Sequence, residues 1–359
     1  MNQFVCGPGG NAGLRSALSQ YIWAERRKNR IFTEAGKRGK KMYDVVALGE
    51  LLIDFTDAGI SPNGMHLFEQ NPGGAPANVL TGLSRMGLKT ALIGKVGDDL
   101  NGRFLESVLK KEKIDTTALI LDKNYFTTLA FVSLSAGGER SFSFARKPGA
   151  DSMLNRDEVN CDIIKSSKIF HIGSLSLTDE PSRTATLYAL DAAKKAGCII
   201  SYDPNYRASL WRSEQAAREG IRSVLPYVDV IKLSEEEADF VTPEKDPKAA
   251  GKYLVEHGIK AAFITLGKSG AYAFHREGFV YQPAVPGNVV DTNGAGDSFC
   301  SGILFCICKE GKKVGEIGLS RLSEFARFGN AAASLCIGKR GAVPSMPTLQ
   351  EIYKRLQDG

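Results

Sequence analysis

The strongest chemical signal in the sequence is a glycine-rich turn that leads into a helical pattern. The turn reads DTNGAGD at residues 291–297. Its small residues Gly294, Ala295 and Gly296 let backbone N–H groups converge, and the N-terminus of the following helix adds partial positive charge. The turn is therefore predicted to form an anion hole. Asp297 falls in the first helical turn, where we expect its carboxylate to accept a proton from a bound phosphate acceptor.

Taken alone, this turn leaves other interpretations open. An acidic residue in a first helical turn can simply complement the helix dipole. The two commonest phosphate-binding designs are missing, because the sequence has neither the GxxxxGK[ST] of a P-loop nor the GxGxxG of a dinucleotide site. The turn therefore indicates an anion site of a different type.

A second glycine-rich turn precedes another helical pattern. It reads NPGGAPAN at residues 71–78. Gly73 and Gly74 let a polyhydroxylated ligand approach the backbone, and Asn78 offers both donors and an acceptor. Asp54 follows an apolar run, and we expect it at the carboxyl end of a strand, where ligands of open α/β sheets bind. By itself, the turn also fits a plain loop-to-helix connection.

Short apolar runs alternate with helical patterns along most of the chain. Strands separated by helices of about 10–15 residues are typical of a parallel sheet covered on both faces, so the predicted fold class is α/β. The predicted strands are 43–49, 90–94, 168–172, 198–202, 228–233 and 261–266, and the predicted helices are 75–86, 183–196, 249–257 and 298–308.

One stretch departs from this alternation. Residues 127–134 and 140–145 show period-two patterning around a Gly-Gly turn, which predicts a β-hairpin. Residues 56–70 are expected to add to the same small sheet. We therefore predict a β lid formed by about 56–70 and 123–148, which closes over a bound ligand and excludes water.

The net charge of +6 belongs to the N-terminal segment. Residues 1–41 hold nine Lys/Arg and two Glu, which gives +7 and leaves −1 for residues 42–359. Nucleic-acid binding by residues 42–359 is therefore not expected. Segment 1–41 is predicted to be a basic, disordered leader. It fits a transit peptide, a basic tail, or sequence upstream of a working start at Met42, which we favour because a strand pattern begins directly after it.

Cysteine and histidine usage argues against several classes of site. The seven cysteines form no CxxC pair, which indicates reduced thiols in a cytoplasmic protein. The four histidines are far apart, so the sequence gives no support for a histidine metal cluster. The apolar runs are all shorter than the ~20 residues that span a bilayer, so no membrane partner is expected.

The motifs occur in the order found in the ribokinase-like (PfkB-type) carbohydrate kinases, and the chain resembles this family from about residue 43 to 347. A ribokinase-like parallel sheet sandwiched by helices is the fold that this resemblance implies. The motifs that carry it are GGAPAN at 73–78, GKVGDD at 94–99, the 291–297 turn and, as in the fructokinase branch, DPNYR at 203–207 and FARKPGAD at 144–151.

The resemblance implies roles for individual residues. Asp297 matches the catalytic base of the family, and the backbone amides of Gly294, Ala295 and Gly296 match its anion hole. Arg207 could instead pair with a neighbouring acid or with a substrate carboxylate. The residues that match the substrate site are Asp54, Gly73, Gly74, Asn78, Arg146 and Arg207.

The resemblance also implies ATP, Mg²⁺ and K⁺ as cofactors. Glu237 matches the acid that organises Mg²⁺ through water, although Ser234 stands where the family often has Asn. Asn293 departs from the family in the same way, because Thr is usual there. The residues that match the ATP site are Lys232, Thr265, Gly267, Gly270 and Asn330, and those that match the K⁺ site are Asp291, Asn293, Gly341 and Ser345.

The expected activity is phosphorylation of a sugar hydroxyl by ATP, with D-fructose converted to fructose 6-phosphate. Kinases for ribose, 2-keto-3-deoxygluconate or a nucleoside are alternatives within this class. A catalytically silent regulator that binds sugar or nucleotide is an alternative outside it, and the retention of Asp297 and Glu237 argues against it. Lids of this family often pair two subunits, so a homodimer is also expected.

Overall fold

The computed structural model describes residues 42–134 and 140–358, and its largest element is a nine-stranded sheet. The basic segment 1–41 and the turn at 135–139 lie outside the described residues. In spatial order the strands are β13 (Gly278–Pro283), β12 (Gly270–His275), β11 (Ala261–Thr265), β10 (Val230–Ser234), β9 (Ile199–Tyr202), β8 (Ser167–Ile172), β1 (Tyr43–Leu48), β4 (Thr90–Gly97) and β5 (Leu119–Asp122).

The sheet is parallel from β11 to β5, which confirms the predicted fold class. The predicted strands are all present, with ends that differ by up to three residues. The edge formed by β12 and β13 is antiparallel and was not predicted. Only two residues, Arg276 and Glu277, separate these strands, and a glycine begins the second strand, which is the local signal for a tight turn.

Helices cover both faces of the sheet because its central strands are apolar on both sides. In β1, Val45 and Ala47 pack into one core, and Val46 and Leu48 pack into the other. The first core is covered by α1 (Ala75–Arg85), α2 (Leu100–Lys111), α8 (Ala295–Glu310), α9 (Leu319–Cys336) and α10 (Leu349–Asp358). The second is covered by α3 (Cys161–Lys165), α4 (Ser182–Lys195), α5 (Glu214–Ser223), α6 (Ala238–Val241) and α7 (Pro247–Glu256).

The direction of the chain reverses at the centre of the sheet. From β1 the chain runs outward to β4 and β5, and it then returns to β8 on the other side of β1. Ligands of open α/β sheets bind beyond the carboxyl ends of the strands at such a switch point. The gap between the ends of β1 and β8 is therefore where a site is expected. Within the described residues, the structure contains no helix with the length and hydropathy of a membrane span.

A second sheet has four strands and contains the predicted hairpin. Its strands, in spatial order, are β3 (His66–Gly73), β2 (Leu52–Ile60), β6 (Leu129–Leu134) and β7 (Arg140–Ala145). Strands β6 and β7 pair antiparallel, which confirms the hairpin, and β2 and β3 form another antiparallel pair. We call this four-stranded sheet the lid sheet.

The structure corrects the predicted position of Asp54. We expected it at the carboxyl end of a strand in the large sheet, but it is the third residue of β2 and pairs with Asn71 and Ala130 in the lid sheet. The chain leaves the large sheet after Leu48 and enters the lid sheet at Leu52. The short apolar run at 51–53, which follows Gly49 and Glu50, does not show by itself which sheet it joins.

Candidate active site

Helix α8 begins directly after Gly294, a position where any other residue would be strained. Gly294 has φ 77°, in the left-handed region, and a Cβ there would lie 2.9 Å from Cβ of Ala342. The helix starts at Ala295, three residues earlier than predicted, so that Asp297 is its third residue. Backbone N–H groups in the first helical turn have no partner within the helix, so this end of α8 can bind an anion.

The carboxylate of Asp297 is held by two asparagine side chains from distant parts of the chain. Nδ2 of Asn78 donates to Oδ2 at 2.8 Å, and Nδ2 of Asn205 donates to Oδ1 at 3.0 Å. Burial raises the pKa of Asp297, while Asn78, Lys232, Arg207 and Asn205 oppose this rise. The result is a fixed carboxylate whose raised pKa makes it a better proton acceptor than a solvated aspartate.

A buried lysine lies beside the anion hole. Nζ of Lys232 is 3.1 Å from Oδ2 and 3.3 Å from Oδ1 of Asp203. A Cβ on Gly296 would lie 2.9 Å from the same Nζ, so glycine is needed there for the ammonium group to approach the turn. Burial by itself would lower the pKa of Lys232. The carboxylates of Asp203, Glu237 and Asp297 outweigh this effect and raise it. Lys232 therefore supplies positive charge next to the hole.

Asp297 lines a pocket at the predicted switch point. Six residues expected at the site line it, namely Asp54, Gly74, Asn78, Arg207, Asn293 and Asp297. The lining also includes Glu50, Leu52, Ala75, Phe144, Leu175 and Asn205, to which no role was given from the sequence. Residues from the loops that follow strands of the large sheet, from the lid sheet and from α1 and α8 thus meet around one pocket.

At the second glycine-rich turn, the absence of a Cβ lets the carboxyl group of Asp54 approach Gly73 and the backbone of Glu50 approach Gly74. A Cβ on Gly73 would lie 2.4 Å from Oδ2 of Asp54. Gly74 has φ 111°, and a Cβ there would lie 2.4 Å from the backbone oxygen of Glu50. A side chain at either position would displace Asp54 or the backbone, which is a reason for glycine at both.

The two candidate arginines have different surroundings. Arg207 lines the pocket, and its Nη1 donates to the backbone oxygen of Tyr206 at 3.0 Å. Arg146 is buried and does not line this pocket. Its Nε donates to Oδ2 of Asp151 at 2.8 Å, and its other nitrogens donate to Thr178 and to the backbone oxygen of Leu175. Arg146 therefore contacts the pocket wall at Leu175 from behind.

Comparisons with known proteins agree with this geometry. The family model described as pfkB family carbohydrate kinase matches residues 42–349. The chain belongs to this family. It is 41% identical over 321 residues to "Probable fructokinase-5" of Arabidopsis thaliana, a match that covers 87% of this chain and 97% of the relative.

Two solved structures are similar to this carbohydrate kinase over nearly their whole length. A fructokinase with bound ATP from Xylella fastidiosa superposes with a TM-score of 0.80 and 30% identity, covering 89% of this chain and 99% of that one. A fructokinase from Vibrio cholerae, bound to fructose, ADP and calcium, gives a TM-score of 0.80 and 29% identity, covering 88% and 99%. The family prediction is confirmed.

Four of the five residues predicted to bind nucleotide lie near the antiparallel edge, whereas the fifth, Lys232, is in β10. Gly267 and Gly270 have φ of 52° and 110° in the turn after β11, and a Cβ on Gly270 would lie 2.1 Å from the backbone oxygen of Gln282. Asn330 donates from Nδ2 to the backbone oxygens of Gln282 and Pro283, at 3.3 and 2.8 Å. Thr265 donates to the backbone oxygen of Leu233 at 3.2 Å.

Glu237, the predicted Mg²⁺ organiser, is buried and uses both carboxylate oxygens. Its Oε1 accepts from the backbone N–H of Tyr206 at 2.7 Å, and its Oε2 accepts from that of Ser234 at 2.8 Å. Backbone bonds leave lone pairs free on each oxygen, so a role through water fits this donor set. In residues 42–134 and 140–358, His, Cys, Asp and Glu form no group of three that could hold a metal directly.

The predicted K⁺ residues lie on two loops that Asp291 connects. Its Oδ1 accepts from the N–H of Asn293 at 2.9 Å, and its Oδ2 accepts from the N–H of Gly341 at 3.0 Å. Ser345 is fully buried, and its hydroxyl donates to the backbone oxygens of Arg340 and Gly341. The structure thus brings all four predicted residues together beside the anion hole.

Three polar residues of the site were not assigned from the sequence. Asn205 has φ 49°, a left-handed conformation that asparagine tolerates, and it holds Asp297. Asp203 pairs with Lys232, and burial raises the pKa of Asp203 to about 7 against the influence of that lysine. Glu50 is buried in the pocket wall. The polar DPN run directly after a strand was the signal for Asn205 and Asp203.

Proposed function

We propose that this protein transfers the γ-phosphoryl group of ATP to D-fructose and produces fructose 6-phosphate. The observation that carries the proposal is the Asp297 carboxylate, which two asparagines fix at the junction of a polar pocket and the anion-binding start of α8. The printed names of the relatives, and the fructose and ATP in the titles of the two solved structures, support the choice of substrates.

The proposed reaction balances with the groups that the site contains. Asp297 accepts the proton of the sugar hydroxyl as its oxygen bonds to the γ-phosphorus, and the bond to the ADP oxygen breaks. The backbone amides of Gly294, Ala295 and Gly296, with Lys232 beside them, stabilise the charge on the transferred group. Phosphoryl transfer depends mainly on such positioning and charge stabilisation, so these residues suffice for the protein's part.

The metals remain part of the proposal. Mg²⁺ would neutralise the phosphate charge when bound, and Glu237 would hold it through water. The oxygens around Asp291 and Gly341 suit K⁺, although Asn293 replaces the usual Thr.

The charge around the pocket favours a neutral sugar over an acidic one. The carboxyl groups of Glu50, Asp54 and Asp297 line it, against the single guanidinium of Arg207. A substrate carboxylate such as that of 2-keto-3-deoxygluconate would be repelled by these acids unless it paired with Arg207. We therefore place fructose ahead of the keto acid, with ribose and nucleosides as further alternatives.

The homodimer and the cytoplasmic location also remain proposals. Several apolar side chains of the lid sheet are exposed among the described residues, including Ile60 (64%), Phe68 (48%) and Phe131 (40%). One face of a small sheet requires burial against another surface. A second copy of the chain, paired through the lid sheet, would provide it.

A panel of sugars in an ADP-release assay tests the proposed substrate. We expect kcat/KM for fructose to be at least ~10-fold above that for ribose, glucose or 2-keto-3-deoxygluconate, which corresponds to ~1.4 kcal/mol of transition-state binding. Arg207→Ala should lower the turnover of fructose. If 2-keto-3-deoxygluconate is preferred, Arg207 binds a carboxylate and the fructokinase proposal is wrong. If the protein turns over none of the sugars but binds one, it is a silent regulator.

A further inference from the structure

Glu50 is a buried acid in the pocket wall that the proposed reaction does not use. It lies two residues beyond the end of β1, is only 3% exposed, and lines the same pocket as Asp54 and Asp297. Its Oε1 accepts from the backbone N–H of Ala75 at 2.8 Å. Its Oε2 is buried and has no hydrogen-bond partner among the described residues.

The backbone N–H groups of Glu50 and Ala75 lower the pKa of the carboxyl group, but the neighbouring side chains give Oε2 no hydrogen-bond donor. Asp151 and Arg146 are the charged side chains that act on it, and they pair with each other at 2.8 Å. Arg146 is further bonded to Thr178 and Leu175. A buried polar atom without a partner is unfavourable, and such atoms are rare in native structures unless a ligand or water completes them.

We propose that Oε2 of Glu50 binds a hydroxyl group of the sugar, and that Glu50 thereby selects neutral polyhydroxylated substrates. The inference rests on the proposed function, because it names a further substrate contact at the same site. The residues expected to share this task from the sequence, Asp54 and Asn78, line the same pocket.

A hydroxyl is the group that suits Glu50 best. Burial raises its pKa to about 7, so both the acid and the carboxylate are present near neutral pH. A hydroxyl can donate to the carboxylate and accept from the acid, whereas a carbonyl oxygen can only accept. A substrate carboxylate would be repelled by the ionised form and by Asp54 and Asp297.

Glu50 and Asp297 are anchored differently in the pocket wall. Oε1 of Glu50 accepts from the backbone N–H of Ala75, whereas Oδ2 of Asp297 accepts from the side chain of Asn78. We therefore expect Glu50 to contact a hydroxyl other than the one that Asp297 deprotonates.

Glu50→Gln tests the proposal, since it keeps the shape of the side chain but replaces one oxygen and prevents ionisation. We expect KM for fructose to rise at least ~10-fold, while KM for ATP changes less than ~2-fold. Calorimetry of sugar binding without ATP should show the same loss of affinity. Deoxyfructoses then identify the partner. The analogue that lacks the bound hydroxyl should bind the wild-type protein weakly and should be insensitive to Glu50→Gln.

Asp229→Asn is a matched control. Asp229 is a half-buried acid that, like Glu50, accepts a backbone N–H, that of Ile200 at 3.0 Å, and burial raises its pKa as well. It does not line the pocket. We expect Asp229→Asn to leave both KM values within ~2-fold of wild type, whatever its effect on stability.

Several outcomes would overturn the proposal. Unchanged fructose affinity in Glu50→Gln would do so, and so would equal losses for sugar and ATP, or equal sensitivity of every deoxy analogue. If Glu50→Gln does not fold, Glu50→Asp, which withdraws the carboxyl group by one methylene, is compared across the same analogues. Failure of the proposed function appears separately, as absence of fructose turnover in the wild type. The analogue series is then built on the preferred sugar.

Discussion

The role proposed for Asp297 makes two conflicting demands, because a general base must be ionised and a buried carboxylate resists ionisation. The site reconciles them with hydrogen bonds from Asn78 and Asn205 and with the positive charge of Lys232 and Arg207. Burial still outweighs these effects and raises the pKa. The two hydrogen bonds thereby hold the carboxylate in one orientation, and the raised pKa increases its affinity for a proton.

Asp297→Asn should therefore remove proton acceptance and leave the anion hole intact. We expect kcat to fall at least ~10²-fold, with ATP binding still measurable by calorimetry. Asp191→Asn, on the surface helix α4, serves as a control with the same change in charge. Turnover near the wild-type value in Asp297→Asn would exclude Asp297 as the base.

An aromatic cluster joins three strands of the lid sheet. Phe131 stacks on Phe55 at 5.4 Å between ring centroids, and Phe68 meets both rings edge to face at 6.5 and 5.9 Å. Phe55 also packs against the first core. Strand β2 carries both Phe55 and Asp54, so the cluster lies one residue from a side chain that lines the pocket.

Replacing Phe131 with Ser should disturb the sugar side of the site more than the nucleotide side. Loss of the aromatic contacts, about 1 kcal/mol, predicts a ~5-fold rise in KM for the sugar and little change in KM for ATP. Phe126→Ser is the control, because Phe126 is in the same lid segment but is 79% exposed. Equal effects on both substrates would indicate a purely structural sheet. Size-exclusion chromatography of the same variant tests whether the lid sheet pairs two copies.

At the scale of the whole molecule, the N-terminal segment differs from the rest in charge. Residues 1–41 carry a net charge of +7, whereas the match to the carbohydrate kinase family begins at residue 42. Strand β1 starts at Tyr43, in the centre of the large sheet. The residues that fold into the sheets and the pocket are thus all downstream of Met42.

A protein that begins at Met42 should therefore fold and work as the full chain does. We expect its Tm to lie within ~2 °C and its kcat/KM within ~2-fold of the full-length values, measured by thermal melting and steady-state kinetics at matched ionic strength. A clear fall in either quantity would show that residues 1–41 contact the folded body.

The sequence by itself determined those features that depend on neighbouring residues. The turn at 291–297 predicted the start of a helix with an acid in its first turn, because backbone conformation and helix start are local properties. The anion hole and the role of Asp297 as the base stay predictions. Alternating apolar runs predicted the parallel sheet, and the hairpin of β6 and β7 was visible as a change of period.

Tertiary structure alone decided which of these residues meet. Asn78 and Asn205 are 219 and 92 residues from Asp297, and no local pattern shows that both bind its carboxylate. The same holds for the position of Asp54 in the lid sheet, and for Arg146, which pairs with Asp151 beside the pocket. Whether Oε2 of Glu50 has a hydrogen-bond partner likewise depends on which residues pack around it. Such contacts follow from the order in which the strands pack. Burial of residues that are far apart in the sequence determines this order, and the periodicity of neighbouring residues does not encode it.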